Sequence, residues 1–198
     1  TVVPLVDAEE MFGEVYRSIS AAKEYVYISI WHIHLGTKVG KKSFRDLVKL
    51  AARRRVRVRI LITYLEVRAF ELTTPEVGLK PVLGVSHEKL IVVDGKEAFC
   101  GGMELMNVYK DSSPKHKGTR HDVHALITGP AVKHFERHFV RHWRQAMTQR
   151  RTVKYTPAVK DLPDPRDHFD PDEQRHAVQV ASTRSIAAAA IPFYETKE

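Results

Sequence analysis

A single predicted hairpin, residues 87–102, constrains the fold of this chain more than any other stretch. Its apolar run at 90–93 is typical of a buried strand, and Asp94-Gly95 is the strongest short signal for a hairpin turn. Residues 97–100 supply the return strand, and Gly101-Gly102 allows backbone to come close to whatever lies above the sheet. We therefore expect a rigid β-ribbon around which the rest of the domain is built.

Two chemically useful side chains lie at the start of this ribbon. His87 and Lys89 are two residues apart, and the side chains of a strand alternate between its faces. The imidazole and the ammonium therefore leave the strand on the same face. A nucleophile or base, a fixed cation and a backbone cradle on one hairpin suit the handling of a phosphate group.

The segments around the hairpin predict an α/β layered domain. The spacing of apolar residues predicts helices at 8–22 and 43–54, strands at 25–31, 56–64 and 122–128, and a helix opening at Gly129-Pro130. We expect Asp7 to cap the first helix together with Glu10. Segments 65–83 and 107–120 lack clear periodicity, so they are predicted to be loops that flank the hairpin and could cover it.

The C-terminal part differs in composition. Residues 154–172 are rich in Pro and Asp, which is typical of a linker. Residues 177–181 are strand-like, and 185–191 could start another helix. We therefore divide the chain into a domain at 1–150, a linker at 151–175 and a further part at 176–198.

The composition bounds the class of protein without naming a substrate. The chain has 198 residues, enough for one large domain or two small ones. Its net charge of +8 favours anionic partners such as phosphate esters, lipid headgroups or nucleic acid. No apolar run reaches the roughly 18 residues of a membrane span, and the first residues lack a signal-peptide pattern, so we expect neither. The single cysteine, Cys100, excludes an internal disulfide framework.

The hairpin fits the pattern H-x-K-x4-D-x6-G-G, which resembles the signature of the phospholipase D superfamily, with His87, Lys89 and Asp94 as its His, Lys and Asp. Residues 120–143 (RHDVHALITGPAVKHFERHFVRHW) look like the segment after the first motif of eukaryotic-type members, and 11–31 resemble the opening of that domain. The resemblance implies a layered α/β/α sandwich of phospholipase D type. Residues 1–150 would be a catalytic half-domain, and 176–198 is similar to the start of a second half.

Two departures from the family pattern narrow this expectation. Many members carry Asn two residues beyond the second glycine, whereas this chain has Glu104, and an acidic residue there favours the eukaryotic-type branch. Only one H-x-K-x4-D motif is present, and the family's active site joins two. The chain would therefore supply one half of a pseudo-two-fold catalytic unit. The other half would come from the same longer protein or from a second subunit.

The resemblance implies that a motif histidine attacks the phosphodiester phosphorus and forms a covalent phosphohistidine, which water or an alcohol resolves. We assign the nucleophile to His87 and the acid to the partner motif's histidine, with the reverse assignment left open. Lys89 would neutralise charge on the equatorial oxygens.

Four further residues are assigned supporting roles. We expect Asp94, grouped with the catalytic residues, to hold the hairpin and the partner lysine or backbone; an ordinary turn residue is the alternative. Asp122 is the candidate for the carboxylate that orients His87, with a salt bridge or a strand cap as the alternative. Gly101 and Gly102 would supply the backbone cradle.

Eleven histidines raise the question of a metal site. His134, His138 and His142 lie four apart on one helical flank, and His121 and His124 are close in sequence. Zinc needs four convergent ligands, and a histidine stripe beside an apolar face is more often a partly exposed flank. We therefore predict no metal site and no cofactor for the chemistry, and leave an activating lipid or calcium open.

The sequence favours a phosphodiesterase of phospholipase D type that hydrolyses or transphosphatidylates phospholipids such as phosphatidylcholine, releasing phosphatidic acid in the first case. The alternatives are a nuclease of the same superfamily, phosphatidyl transfer as in cardiolipin synthesis, and an inactive membrane-binding scaffold. The expected partner is phospholipid at a membrane surface rather than nucleic acid. The expected location is cytoplasmic and peripheral on membranes.

Overall fold

The computed structural model describes residues 1–62, 67–72, 81–82, 87–109, 120–148, 183–186 and 194–197. Their elements are β1 (Val2–Val6), α1 (Asp7–Ala21), β2 (Tyr25–Ile30), β3 (Lys38–Val39), β4 (Lys42–Ser43), α2 (Phe44–Arg53), β5 (Arg57–Ile62), β6 (Val67–Leu72), β7 (Pro81–Val82), β8 (Lys89–Val93), β9 (Glu97–Gly101), β10 (Val123–Thr128), α3 (Val132–Thr148), β11 (Thr183–Ile186) and β12 (Tyr194–Lys197). An eight-stranded sheet in the order β1-β10-β9-β8-β2-β5-β6-β7 organises them.

The predicted hairpin lies in the middle of this sheet. β8 pairs antiparallel with β9 on one side and with β2 on the other, and β2 pairs parallel with β5. All five residues of β8 are buried. Asp94 (φ 51°) and Gly95 (φ 61°) both adopt the left-handed backbone that a tight hairpin turn needs. The hairpin is therefore a rigid central support.

Helices cover both faces of the sheet. On one face, α1 and α2 share a core with β8 that includes Val15, Leu47 and Ile91. On the other face, α3 packs on the sheet in a second core that includes Phe139 and Leu90. These layers confirm the predicted α/β/α sandwich.

A polar cluster fastens α3 to the hairpin. Glu88, the residue before β8, accepts hydrogen bonds from His138 Nε2 at 2.5 Å and from His142 Nδ1 at 3.1 Å. Burial acts to raise the pKa of Glu88, but the hydrogen bonds from the two histidines outweigh it and hold that pKa below its ordinary value. Glu88 is therefore a carboxylate at neutral pH.

The start of α1 differs from the prediction that Asp7 caps it. The N-cap residue is Val6, which has no side-chain cap, and Glu10 Oε2 accepts a hydrogen bond from the Val6 backbone N–H at 2.7 Å. Asp7 is 3% exposed, and its carboxylate accepts from the Asp122 backbone N–H at 3.2 Å and contacts His121 Nδ1 at 3.0 Å. Because the carboxylate reaches the segment before β10, it joins two elements instead of capping the helix.

Three further differences concern strands that local patterns did not predict. The predicted loop at 65–83 is wrong where β6 pairs with β5 and β7 pairs with β6. The helix predicted from 185 is wrong for Ser185 and Ile186, because they lie in β11, which pairs with β12. β1 was not predicted, and it forms by pairing with β10 at the sheet edge. In each case hydrogen-bonded pairing with another strand decides the structure, which local propensity does not report.

The remaining predicted elements agree with the structure to within a few residues. The inward residues of the second helix, Phe44, Leu47, Val48 and Ala51, are all buried. The helix after Gly129-Pro130 begins at Val132, so Pro130 precedes it. Arg59 is 1% exposed and lies against the rings of Tyr27 and Trp143.

Residues 110–119 and 149–182 lie outside the described part of the chain. The predicted linker at 151–175, the strand at 177–181 and most of the loop at 107–120 therefore stay predictions. Among the helices that are described, none has the length and apolar character of a membrane span.

Candidate active site

The predicted pair His87 and Lys89 lies at one end of the central strand β8, and the ring of Trp31 contacts both. The His87 ring stands edge-on to the Trp31 ring, with centroids 4.8 Å apart, and Lys89 Nζ lies 5.7 Å from the centroid of the same ring. His87 is exposed, whereas Lys89 is 5% exposed. The structure thus presents an accessible imidazole beside a buried ammonium.

Two polar contacts hold Lys89. Its Nζ forms an ion pair with Glu104 Oε1 at 2.7 Å and donates to the backbone carbonyl of His87 at 2.9 Å. Both side chains of the ion pair are 4% exposed, so water screens it little. These two contacts involve at most two of the three N–H donors of an ammonium.

Glu104 is a member of the site that the sequence analysis noted only as a departure from the family pattern. Its second oxygen, Oε2, accepts from the His32 backbone N–H at 3.0 Å. The bridge between Ile33 and Leu105 brings the segments after β2 and β9 together. Glu104 therefore compensates the buried charge of Lys89. The signal available in the sequence was an acidic residue at the place where the family pattern has Asn. That this residue pairs with Lys89 follows from the fold and not from the sequence spacing.

Asp94 lies at the other end of β8 from His87. The seven steps from 87 to 94 along an extended strand span roughly 20 Å. Its carboxylate accepts backbone hydrogen bonds from Lys23, Glu24 and Tyr25 at 2.8, 2.9 and 2.8 Å. The structure therefore does not bring Asp94 to the pair; these contacts fix the entry of β2 against the hairpin turn.

Gly101 and Gly102 are required because the segment that begins β10 packs against them. A Cβ on Gly101 would lie 2.4 Å from the Val123 carbonyl oxygen, and one on Gly102 would lie 2.2 Å from Asp122 Oδ1. Asp122 Oδ1 also accepts from the Val123 backbone N–H at 2.7 Å. Within the described part of the chain, no hydrogen bond joins Asp122 to His87. The structure thus accounts for both glycines by packing, and it does not form the predicted orienting bond.

His124 is a buried neighbour of Lys89 to which sequence analysis assigned no role in the reaction. It is 1% exposed, and its Nδ1 accepts from the Met103 backbone N–H at 3.2 Å. Burial lowers the pKa of His124 to about 4; Asp122 acts to raise it, and the positive charge of Lys89 lowers it further. At neutral pH the imidazole of His124 is therefore uncharged.

Taken together, these residues provide one accessible nucleophile and one fixed cation. His87 can attack an electrophilic phosphorus, and Lys89 can stabilise negative charge that develops on its oxygens. Expulsion of an alcohol also needs a proton donor. A second imidazole would suit that role.

The relatives of this chain include cardiolipin synthases. It is 29% identical over 171 residues to the major cardiolipin synthase of Bacillus subtilis, a match that covers 77% of this chain and 35% of that protein. It is 26% identical over 165 residues to cardiolipin synthase A of Pseudomonas entomophila, covering 73% and 33%. The chain thus spans about a third of the length of the curated relatives it matches. No family model matches it.

Solved structures with related architecture are more distant. NucT from Helicobacter pylori has a TM-score of 0.47 at 12% identity, covering 75% of this chain and 98% of that one. Phosphatidylserine synthase of Haemophilus influenzae has a TM-score of 0.47 at 14% identity, covering 81% and 41%. Likeness of this degree supports nothing beyond the similarity itself. The relatives named here are bacterial, and closeness to the eukaryotic-type branch stays a prediction.

Proposed function

We propose that this chain forms one half of a phospholipase D superfamily active site that transfers a phosphatidyl group, with His87 as nucleophile and Lys89 as fixed cation. The observation that carries the proposal is the exposed imidazole beside a buried ammonium at one end of β8. The cardiolipin synthase relatives support phospholipid as the substrate class.

The reaction has two displacements. First, a ring nitrogen of His87 attacks the phosphorus, the bond from phosphorus to the leaving alcohol breaks, and the partner imidazole protonates that oxygen. Second, an acceptor alcohol gives its proton to the partner imidazole and attacks the phosphohistidine, and the phosphorus–nitrogen bond breaks. A new phosphodiester forms, the first alcohol is released and His87 is regenerated, so the starting phosphodiester and the acceptor alcohol are the only reactants consumed.

Lys89 contributes electrostatically because its position is fixed before substrate binds. Its contacts with Glu104 and the His87 carbonyl hold the ammonium in place, so little reorganisation is needed when charge develops on the phosphoryl oxygens. A lysine acts here as a point charge, which suits a phosphate held without bidentate geometry.

An alcohol is the proposed acceptor, since the relatives are cardiolipin synthases. Hydrolysis of phosphatidylcholine to phosphatidic acid uses the same intermediate, with water as the acceptor, and is the narrower alternative. The reaction requires no metal or cofactor.

The rest of the assembly follows from this proposal. Residues 1–150 form the catalytic half-domain, 151–175 the linker, and the second half comes from a longer protein that continues past 176 or from a second subunit. Phospholipid substrate implies a protein that works peripherally at a membrane surface.

The test uses the protein with its complete catalytic unit and three substrates: phosphatidylglycerol and phosphatidylcholine labelled at phosphorus, and a phosphorus-labelled oligonucleotide. The reaction is stopped in alkaline detergent, because the phosphorus–nitrogen bond of phosphohistidine is acid-labile. We expect label on a histidine from lipid, its loss in His87→Ala, and its retention in His134→Ala, which changes an exposed histidine on α3. Label from the oligonucleotide alone would establish a nuclease instead, and no protein label from any substrate would overturn the proposal.

A further inference from the structure

A second cluster of functional side chains lies beside the hairpin on the face that α3 covers. Glu88 and the α3 histidines His138 and His142 each bring one donor atom within 4.8 Å of the others. The two imidazole rings are 4.3 Å apart, and each donates a hydrogen bond to a different Glu88 oxygen. Three possible metal-ligand atoms, one from the residue before β8 and two from α3, thus lie close together. The spacing of the histidines alone did not indicate this cluster.

The geometry of this cluster matches the coordination shell of a small divalent metal ion. Histidines at i and i+4 project from one helix face, a spacing that zinc-binding helices use. Zinc holds nitrogen and oxygen ligands at about 2.0–2.2 Å, so the ligand atoms of a tetrahedral shell lie roughly 3.3 Å apart. The nitrogens of His138 and His142 lie 2.5 and 3.1 Å from the two Glu88 oxygens, and one ligand atom from each residue lies within 4.8 Å of the others, so all three residues are within reach of one ion.

The cluster also has suitable access and charge. The side chains of Glu88, His138 and His142 are 18%, 16% and 14% exposed, so an ion can enter and a water molecule can complete its shell. Two imidazoles and one carboxylate are the ligand set of zinc sites that keep a fourth position open. A hard cation such as Mg²⁺ prefers oxygen ligands and suits this set poorly.

We propose that Glu88, His138 and His142 form a binding site for a divalent transition-metal ion, with Zn²⁺ as the best match. The proposal replaces the expectation of no metal site, which was drawn from the helix alone and did not include Glu88. The ion takes no part in phosphoryl transfer. It ties α3 to the residue between His87 and Lys89 and so restrains the hairpin from the opposite face.

The experiment measures Zn²⁺ binding by the untagged protein after treatment with a chelator and dialysis. A chromophoric chelator competes for the ion, Co²⁺ absorption reports nitrogen ligands, and thermal unfolding is followed with and without Zn²⁺. We expect one equivalent of Zn²⁺ to bind, to raise the unfolding midpoint, and to bind at least about 100-fold more weakly in the variant His138→Gln/His142→Gln.

The matched control is His134→Gln, which changes the preceding histidine of the same stripe and should bind Zn²⁺ like the wild type. Glu88→Gln keeps the side-chain volume and should also weaken binding, which guards against a double variant that fails to fold. Unchanged affinity in both the double variant and Glu88→Gln would overturn the proposal, because the ion would then bind elsewhere. Absence of Zn²⁺ binding at micromolar concentration would overturn it too and leave a hydrogen-bonded cluster.

Discussion

The two ends of β8 hold their polar residues in different ways. At the first end, His87 is exposed and Lys89 is buried against Glu104, and the ring of Trp31 contacts both. At the other end, Asp94 directs its carboxylate at three backbone N–H groups that open β2. One end presents an exposed imidazole and is the end that the proposed chemistry uses, and the other holds two strands together.

This difference divides a continuous sequence motif into two physical roles. In H-x-K-x4-D, Lys89 begins β8 and His87 lies two residues before it, both against the Trp31 ring, whereas Asp94 lies beyond the strand in the turn. The proposed chemistry uses the first two, whereas the contacts of the third are architectural. Variants at each position, with activity and stability measured in parallel, separate these roles.

The largest effect is expected from His87→Ala in the complete catalytic unit. Removal of the nucleophile should lower kcat by at least about 10⁴-fold, because the covalent step has no substitute. The free energy of unfolding should change by only about 0.5 kcal/mol, because the side chain is exposed. The measurements are initial rates of phosphatidyl transfer and urea unfolding.

His134→Ala is the control for changing a histidine at the surface, and it should keep wild-type rates. If kcat of His87→Ala were within tenfold of the wild-type value, His87 would not be the nucleophile.

The second prediction concerns the ion pair beneath His87. Glu104→Leu should lower the free energy of unfolding by about 3–5 kcal/mol, because it leaves the Lys89 ammonium buried without its partner. The double variant Lys89→Met/Glu104→Leu should recover most of that loss, since it leaves no buried charge unpaired. Urea unfolding of the wild type, the single variants Lys89→Met and Glu104→Leu, and the double variant gives the coupling energy, and additive effects would show that the pair is not coupled in solution.

The third prediction tests the architectural end. Asp94→Ala should lower the free energy of unfolding by about 3 kcal/mol, because it removes the acceptor for three backbone N–H groups and places alanine at a left-handed position. Asp94→Asn keeps one acceptor oxygen and tolerates positive φ, so it should cost about 1 kcal/mol. For both Asp94 variants, the kcat per folded molecule should stay far above the kcat of His87→Ala. A loss of activity in Asp94→Asn as large as in His87→Ala, with stability unchanged, would assign this end to the chemistry.

Local pattern predicted the ligand-facing end better than the contacts that support it. Alternation placed His87 and Lys89 on one face, and the hairpin signal placed Asp94 at the turn. The partners of Asp94 lie 69 to 71 residues earlier in the chain, and Glu104 meets Lys89 next to the bridge between Ile33 and Leu105. Such contacts depend on strand order, which periodicity does not encode.

The expected link from Asp122 to His87 shows the same limit. The motif suggested a nearby carboxylate, but the register of β9 and β10 places Asp122 against Gly102, and Gly101 against His124. The helices were predicted more fully because their buried faces follow from local spacing, as the inward residues of α2 illustrate. The edge strand β1 and the inner strand β6 exist through pairing with β10 and β5, so no pattern within their own residues reported them.

The smallest predicted effect concerns His124, which lies beside Lys89 and carries no charge at neutral pH. Its pKa falls from 6.5 to about 4 in the folded chain, so between these values the unfolded state binds a proton that the folded state does not. Its contribution to stability is therefore complete above pH 6.5 and is lost as pH falls toward 4, by about 2 kcal/mol between pH 7 and pH 5. His124→Asn replaces Nδ1 with an amide oxygen that can accept from Met103 and does not titrate. Between pH 7 and pH 5, the unfolding free energy of this variant should therefore fall by about 2 kcal/mol less than that of the wild type, as measured in urea. Parallel pH profiles for the two proteins would mean that water reaches His124 in solution. The end of β8 that carries His87 would then be more open to water than the 1% exposure of His124 implies.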